Sequence, residues 1–317
     1  MCEAGWNFRA AFGRMPAHSF RRAFFQGREP RSGPVVQANW PLWGPGEGVV
    51  QTGAMRIELA TAPGDPARPN EDWAATALPA AGRGGVLVVL DGVTPPPGNG
   101  DCVHDVPWYT ARLGGALTEL SGSRRDMPLT EILAESIRRT ADAHRGTCDL
   151  SHPRTPQATV VLARWDEEAV EHLVLSDSAL LLESPDGVVR AVLDDRLDRV
   201  PRSVLVSDDV ADAVARNREG GFFTAAADPS VAEVAVSGRT PRGAVRSLAA
   251  LTDGATRWVE MFREGDWGGC LALLAKAGPQ GVIDRVRELE RADVDAGRTF
   301  LRGSKTHDDA TAVYVEL

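Results

Sequence analysis

The chain has 317 residues, 43% of them hydrophobic, which is enough to bury the core of one large domain or two small ones. A formal net charge of −9 and a pI near 5.3 argue against extensive binding to nucleic acid or anionic membranes, because phosphate contacts need clustered lysines and arginines. No run approaches the roughly 20 apolar residues of a membrane-spanning helix, so we expect a soluble, cytoplasmic protein without a membrane span.

The N-terminal segment, residues 1–54, shows neither sustained helical nor sustained strand periodicity. Arginines are scattered there among glycines, prolines and tryptophans. We interpret this segment as a poorly ordered extension, followed by a single folded domain at residues 55–317. The basic aromatic stretch at residues 20–25 leaves a second interpretation open, a short amphipathic helix that docks on a partner or a membrane surface.

From Met55 onward, short β-rich runs are mixed with longer helical patterns. Strands are predicted at residues 55–60, 85–90, 158–163, 171–175, 179–182, 188–193, 247–252 and 311–315. Helices are predicted at residues 108–120, 129–144, 267–277 and 280–293. Because helix pairs separate the strand clusters, we predict an α+β fold in which two antiparallel sheets pack together and carry helices on their outer faces.

The most apolar predicted strand ends in a carboxylate, since Leu90 is followed by Asp91 and Gly92. A charge at the end of a buried strand must be solvated, paired or bound to a metal, because an isolated buried carboxylate costs several kcal/mol. The glycine allows the backbone to approach a ligand closely. An Asp-Gly pair after a strand is also a common turn, so this motif alone does not establish a site.

The same arrangement recurs along the chain. Further acidic residues stand at the ends of other predicted strands or just before apolar stretches: Glu71, Asp72, Asp177, Asp253 and Asp308. Carboxylates at strand ends can converge on one rim of a sheet sandwich. They offer only oxygen ligands, which are the ligands that Mg²⁺ and Mn²⁺ prefer.

In their order along the chain, five motifs resemble those of the PP2C family of Ser/Thr phosphatases over roughly residues 55–317. These are Asn70-Glu71-Asp72, Leu90-Asp91-Gly92, Ser176-Asp177-Ser178, Leu251-Thr252-Asp253-Gly254 and Asp308-Asp309-Ala310-Thr311. The resemblance implies an enzyme that hydrolyses phosphoserine or phosphothreonine in a phosphorylated protein substrate. It also implies direct attack by a hydroxide that bridges two Mg²⁺ or Mn²⁺ ions, without a phosphoenzyme.

The resemblance further implies a role for each matched residue. Asp91 corresponds to the carboxylate that bridges both metals, and the carbonyl of Gly92 corresponds to a ligand of the first. Asp253 and Asp308 correspond to ligands of the second metal. Asp177 would join Asp253 in a third, looser site.

Three further residues would act around the metals. Glu71 and Asp72 correspond to residues that act mainly through metal-bound waters. Arg68 is the candidate phosphate clamp, because a guanidinium can bind two phosphate oxygens at once. The spacing between Arg68 and Glu71 is one residue shorter than the family pattern.

The chain departs from the family pattern at several positions. Val93-Thr94-Pro95 follows the second motif, where a bulky residue and two glycines are usual. Ser176 replaces a glycine, and Asp309 stands where asparagine is frequent. The altered loop leaves a second function open, a catalytically weak or inert regulatory module that binds a phosphorylated partner.

The cysteines and two histidines give weaker signals. The sequence indicates neither a zinc knuckle nor a redox motif, because its four cysteines, Cys2, Cys102, Cys148 and Cys270, contain no Cys-x-x-Cys pair. His104 could protonate a leaving alkoxide or lie in a surface turn, and we favour the turn. We interpret His307 as exposed rather than as support for Asp308.

Overall fold

The structure is a computed structural model that describes residues 55–80, 82–95, 102–297 and 305–317. The predicted extension at residues 1–54, including the stretch at 20–25, lies outside these described ranges. None of the helices within the ranges is long and apolar enough to cross a bilayer.

The described ranges contain ten strands and seven α-helices. The strands are β1 (Arg56–Ala62), β2 (Trp73–Ala77), β3 (Gly85–Leu90), β4 (Val160–Trp165), β5 (Ala169–Leu175), β6 (Ala179–Glu183), β7 (Val189–Val192), β8 (Val236–Pro241), β9 (Ser247–Leu251) and β10 (Ala310–Glu316). The helices are α1 (Val106–Ser123), α2 (Leu129–His144), α3 (Arg196–Arg199), α4 (Arg202–Leu205), α5 (Asp208–Val214), α6 (Asp253–Glu260) and α7 (Trp267–Asp295).

The strands form two five-stranded antiparallel sheets. The first sheet has the strand order β1-β10-β9-β6-β7, and the second has the order β2-β3-β4-β5-β8. The predicted α+β class with two antiparallel sheets is therefore confirmed.

The sheets pack against each other through side chains that alternate along each strand. In β3, Leu87 and Val89 belong to the apolar layer between the sheets, whereas Val86, Val88 and Leu90 belong to the layer beneath the helices. All the residues of β3 are buried. Both faces of the strand are covered, which explains its uninterrupted apolar sequence.

Helices cover the outer faces of both sheets. On the second sheet, α1 and α2 pack through residues such as Leu113 and Ile137. On the first sheet, α6 and α7 pack through residues such as Trp258 and Leu274. The layers therefore run helix, sheet, sheet, helix, as the sequence predicts.

Helix α7 is kinked where the sequence predicts a break between two helices. Gly278 has a φ of +74°, outside the helical region, and Pro279 follows it. Glycine adopts this left-handed conformation at low cost, and proline cannot donate a helical hydrogen bond. The predicted pair of helices is thus one helical run with a sharp bend.

The sequence analysis did not predict strands β2 and β8 or helices α3, α4, α5 and α6, and it placed one strand boundary wrongly. Both β2, which is half-buried along its whole length, and β8, which is an exposed polar edge strand, lack a buried apolar alternation. The strand predicted at 158–163 begins later, at Val160. Ala158 instead forms isolated bridges with Gly92 and Ala225.

Helix α1 approaches the second sheet closely at Gly114. A Cβ on this residue would lie 2.1 Å from Cε3 of Trp73 in β2. A Cβ on the neighbouring Gly115 would meet open space. The distance between α1 and the sheet therefore depends on the missing side chain of Gly114.

We predict that Gly114→Ala lowers the free energy of unfolding by about 1–3 kcal/mol, because the indole of Trp73 must move. The control Gly115→Ala should raise it by up to about 1 kcal/mol, since alanine is the better helix former. Urea unfolding of both variants measures the difference. Equal stabilisation by the two substitutions would contradict the close packing.

Candidate metal centre

The strand register brings carboxylates of the second sheet to one rim. Trp73, the first residue of β2, pairs with Leu90, the last residue of β3. Asp72 precedes Trp73 and Asp91 follows Leu90. These two carboxylates are therefore neighbours although they come from different strands.

The first sheet contributes its carboxylates to the same rim. Leu251, the last residue of β9, pairs with Ala312 of β10 and with the first residue of β6. Asp253 begins α6 just after β9, and Asp308 shortly precedes β10. Asp177 lies in the turn from β5 to β6, which passes from the second sheet to the first. This turn joins the two sheets at the rim where their carboxylates meet.

Gly92 is packed too tightly to carry a side chain. A Cβ there would lie 2.4 Å from Cγ1 of Val106 and 2.5 Å from the carbonyl oxygen of Glu71. The glycine of the Asp-Gly motif therefore lets the segment that carries Glu71 and Asp72 lie directly against the end of β3.

The backbone of Asp91 is held by Thr159 at the start of β4. The Thr159 N–H donates to the carbonyl of Asp91 at 2.9 Å, and the Asp91 N–H donates to Oγ1 of Thr159 at 3.2 Å. The Thr159 hydroxyl also shares a 2.6 Å hydrogen bond with the hydroxyl of Ser178. One threonine thus connects Asp91 with the turn that carries Asp177.

Burial and repulsion between like charges raise the pKa values of Asp91 and Asp253. Burial has the largest effect on the pKa of Asp91, followed by the charges of Asp253, Asp72, Asp177 and Asp308. Burial also raises the pKa of Asp253 well above its usual range, followed by the charges of Asp308 and Asp177. Burial and the like charges of the neighbouring carboxylates therefore both disfavour the ionised forms of Asp91 and Asp253.

Asp72 carries an oxygen without a partner. Its Oδ2 accepts a 2.9 Å hydrogen bond from the hydroxyl of Thr252, whereas its buried Oδ1 has no hydrogen-bond partner in the described part of the chain. Burial raises the pKa of Asp72 to about 7, although hydrogen bonds from Thr311 and Thr252 oppose the shift. A buried acceptor of this kind is expected where a bound group completes its bonding.

The turn that carries Asp177 explains one departure from the family pattern. Ser176 has a φ of +70°, a left-handed conformation that glycine adopts more readily. The Ser176 N–H donates to Oδ2 of Asp194 at 2.8 Å, and Asp194 is bound in turn by Arg196. The turn therefore keeps its shape without the glycine. Burial raises the pKa of Asp177.

Asp308 is held by a buried ion-pair network that sequence reasoning missed. Arg257, one helical turn after Asp253, lies 3.4 Å from Oδ2 of Asp308 and 2.5 Å from Oε1 of Glu290. Glu290 also binds Nδ1 of His307 at 2.7 Å. The interpretation of His307 as exposed needs correction, because its side chain is only 35% exposed and supports this network. The spacing of Arg257 from Asp253 was the available sequence signal.

Lys305 is a second cation at Asp308 that was not predicted. Its Nζ lies 2.7 Å from Oδ1 of Asp308 and 2.9 Å from the hydroxyl oxygen of Thr94. Burial lowers the pKa of Lys305, but the charge of Asp308 and that of Asp91 raise it, with a net increase. The Thr94 hydroxyl donates to Glu71. The altered loop after Gly92 thus takes part in the site.

Asp309 fastens the loop between β1 and β2 to the rim. Its Oδ1 accepts a 2.8 Å hydrogen bond from the Gly64 N–H, and its Oδ2 accepts one of 2.7 Å from the Glu71 N–H. An asparagine offers only one acceptor oxygen, which gives a physical reason for aspartate here.

Burial is the main cause of a raised pKa at Glu71. The Arg68 guanidinium lies 3.8 Å from Glu71 on a side chain that is 55% exposed.

The carboxylates converge without closing into a tight cluster. Within the described ranges, no three of them bring one oxygen each within 4.8 Å of one another. Like charges repel, and both oxygens of Asp308 have cationic partners in Lys305 and Arg257. The oxygen donors at the rim suit Mg²⁺ or Mn²⁺. The unpartnered oxygen of Asp72 and the close packing at Gly92 also fit a site that a cation completes.

His104 lies among other side chains. Its ring stacks on Trp108 with centroids 3.9 Å apart, and its Nδ1 lies 3.4 Å from Sγ of Cys148. The next residue, Asp105, caps α1 by accepting a hydrogen bond from the Trp108 N–H. This position agrees with a turn that leads into α1.

The architecture is found in crystal structures of known phosphatases. Serine/threonine phosphatase Stp1 from Staphylococcus aureus is 13% identical, with a TM-score of 0.52 over 86% of this chain and 98% of that one. Serine-threonine phosphatase 2C from Toxoplasma gondii is 12% identical, with a TM-score of 0.52 over 83% and 95%. A bacterial serine phosphatase is 13% identical, with a TM-score of 0.50 over 83% and 97%.

No family model and no curated protein matches this chain in sequence. At the identities above, the structural likeness shows the fold alone. Together with the sheet order and the helix layers, it shows that the chain has the fold of the PP2C-type Ser/Thr phosphatases.

Proposed function

We propose that this chain is a metal-dependent Ser/Thr protein phosphatase that transfers the phosphoryl group directly to water. The observation that carries the proposal is the convergence of carboxylates from five separate chain segments on one rim, which follows from the pairing of the strand ends. Buried like charges are costly without a counter-charge. A rim built in this way is suited to divalent cations.

Four residues would hold two cations at the centre. Asp91 would bridge them, the Gly92 carbonyl would bind the first, and Asp253 and Asp308 would bind the second. Asp177 with Asp253 would offer a looser third position. Bound Mg²⁺ or Mn²⁺ supplies Lewis-acid chemistry, which lowers the pKa of water and neutralises charge on phosphoryl oxygens.

The chain's own side chains would orient the other components. Glu71 and Asp72 present carboxyl oxygens that can accept protons or hydrogen bonds from water at the rim. Arg68 is exposed and adjacent to Glu71, so its guanidinium can reach a phosphate from solvent. We propose a phosphorylated protein in the cytoplasm as the substrate.

The experiment that tests the proposal is phosphate release from phosphoserine and phosphothreonine peptides by the full chain. Release should require Mn²⁺ or Mg²⁺ and should stop on addition of a chelator. Release that continues in excess chelator, or no release with either metal, would contradict the proposal.

Lys305 favours a second candidate function, a regulatory module that binds a phosphorylated partner without turnover. Its ammonium already forms an ion pair with Asp308, so the site needs less positive charge from metal ions. Such a module would bind the phosphopeptides, as fluorescence anisotropy measures, and release no phosphate. The two candidates therefore differ in turnover and not in binding.

We predict that Asp253→Asn reduces metal-dependent phosphate release by roughly 100-fold or more, because the second cation loses a ligand. In chelator, the same variant should be as stable as the parent chain or more stable by about 1 kcal/mol, since repulsion among the carboxylates is relieved. Asp284→Asn, an exposed position on α7, is the matched control and should change neither property. Full turnover in Asp253→Asn would rule out its assigned role.

We also predict a pH dependence of stability in the metal-free chain. The pKa of Asp72 is raised from 3.8 to about 7, so the folded state retains a proton that the unfolded state has lost. The contribution of Asp72 to the free energy of unfolding is therefore highest below pH 3.8, the pKa of Asp72 in the unfolded chain, and this contribution is lost as the pH rises to about 7. Urea unfolding in chelator should show a free energy that falls between about pH 4 and pH 7, and Asp72→Asn should make this fall shallower. A free energy that rises with pH in this window would contradict the raised pKa.

We predict that Lys305→Met strengthens Mn²⁺ binding roughly 3- to 10-fold, because an ammonium that repels the cation and occupies Asp308 is removed. Lys276→Met, at an exposed position of α7, controls for the loss of one positive charge. Titration calorimetry with Mn²⁺ compares the two variants. Weaker binding in Lys305→Met alone would show that the ammonium supports the centre instead of competing with cations.

A further inference from the structure

A second cluster of metal-ligating side chains lies beside the helix pair on the second sheet. It consists of Cys102 and His104, which precede α1, His144, the last residue of α2, and Cys148 in the following turn. Each offers one sulfur or ring nitrogen, and these four atoms all lie within 4.8 Å of one another. In the described ranges, this is the one set of three or more His, Cys, Asp or Glu residues that meets this limit.

The distances suit a tetrahedral metal. Sγ of Cys102 lies 3.4 Å from Nδ1 of His144 and 3.8 Å from Nδ1 of His104, and Sγ of Cys148 lies 3.4 Å from Nδ1 of His104. Zinc binds sulfur at about 2.3 Å and imidazole nitrogen at about 2.0–2.1 Å, so a sulfur and a nitrogen ligand of a tetrahedral site lie roughly 3.6 Å apart.

The two sulfur atoms are the exception. They lie 2.8 Å apart, closer than two thiolates on one zinc ion and farther than the roughly 2.05 Å of a disulfide bond. Both cysteines are free thiols and only partly buried. Two thiolates on one tetrahedral zinc ion lie roughly 3.8 Å apart, so zinc binding requires the two sulfur atoms to separate by about 1 Å.

His144 is the most deeply buried member of the cluster. Its side chain is 1% exposed, and its Nε2 has no hydrogen-bond partner among the described residues. The buried imidazole has lost its hydrogen bonds to water, and its one polar contact, with a thiol, replaces them only weakly. A metal bond at Nδ1 would replace this weak thiol contact, and Nε2 would carry the ring proton.

We propose that Cys102, His104, His144 and Cys148 bind one zinc ion. Two thiolates and two imidazoles form a soft donor set that favours zinc over the Mg²⁺ or Mn²⁺ proposed for the carboxylate rim. Four protein ligands leave no open position for water or substrate, so the zinc is structural. The inference does not depend on the proposed phosphatase activity.

The ion would fasten the start of α1 to the end of α2. Trp108, in the first turn of α1, stacks on His104 and lies 5.2 Å from the ring of His144. The start of α1 is also the end of the connection that leads there from Asp91 and Gly92. The zinc would therefore fix the far end of the segment that leaves the candidate metal centre.

The test is the zinc content of the full chain after purification in reductant and dialysis without chelator. Mass spectrometry of the metals should find one zinc per chain in the parent and in the control Cys270→Ala, whose thiol is buried in α7. Cys102→Ser and Cys148→Ser should each lose the zinc, whereas Asp253→Asn should keep it. A parent chain without zinc, or zinc retained in both serine variants, would overturn the proposal.

Cobalt substitution in the parent chain removes any dependence on how well the variants fold. Cobalt held by two thiolates gives a sulfur-to-metal charge-transfer band and strong visible absorption, which cobalt on carboxylates lacks. Thiol titration after denaturation should find all four cysteines reduced. Absence of the charge-transfer band, or two thiols lost to a disulfide between Cys102 and Cys148, would overturn the assignment, as would copper or iron in place of zinc.

Discussion

Repulsion among buried carboxylates is the constraint that the rim of this sandwich must accommodate. Asp72, Asp91, Asp177, Asp253 and Asp308 are carried there by strand ends and turns, and the pairing register brings these chain segments to the same rim. Removing such charges from water costs several kcal/mol each unless they are paired. The surrounding structure offsets this cost in part. Some carboxyls are expected to keep a proton, backbone N–H groups donate hydrogen bonds, and Lys305 and Arg257 bind Asp308.

The residues that support the rim and the carboxylates at its centre differ in how fully their oxygens are bonded. Residues that hold the rim in place are fully bonded: Asp309 uses both oxygens on backbone N–H groups, and Glu290 binds both Arg257 and His307. Asp72, which faces the other carboxylates, keeps an oxygen without a partner. The scaffold is thus satisfied, whereas at the centre Asp308 has cationic partners and Asp72 is not fully bonded. This difference is what we expect of a site that is completed by cations from solution.

Much of this arrangement could be predicted from the sequence. The uninterrupted apolar run of β3 predicts a strand buried on both faces, and the recurrence of Asp after such strands predicts a shared rim. The order of the motifs pointed to the PP2C-type fold. The sequence could not predict β2 and β8, because neither has a buried apolar alternation. The roles of Lys305 and Glu290 were also missed, since each depends on contacts between distant parts of the chain.

The cluster of two cysteines and two histidines could not be predicted from the sequence either. Cys102-Val103-His104 and the pair His144 and Cys148 are each a plausible half of a metal site, yet no Cys-x-x-Cys spacing marks them. Only the packing of α1 beside α2 brings the halves together. Short-range spacing predicts sites that lie within one turn or loop, whereas a site between two helices requires the fold.

The central claim is that the carboxylate rim collects divalent cations. Diffraction from crystals of the full chain grown with Mn²⁺, measured at the manganese absorption edge, tests it most directly. We predict anomalous peaks between Asp91, Asp253 and Asp308, with Lys305 displaced from Asp308. A rim without anomalous density, in which Lys305 still binds Asp308 at saturating Mn²⁺, would contradict it.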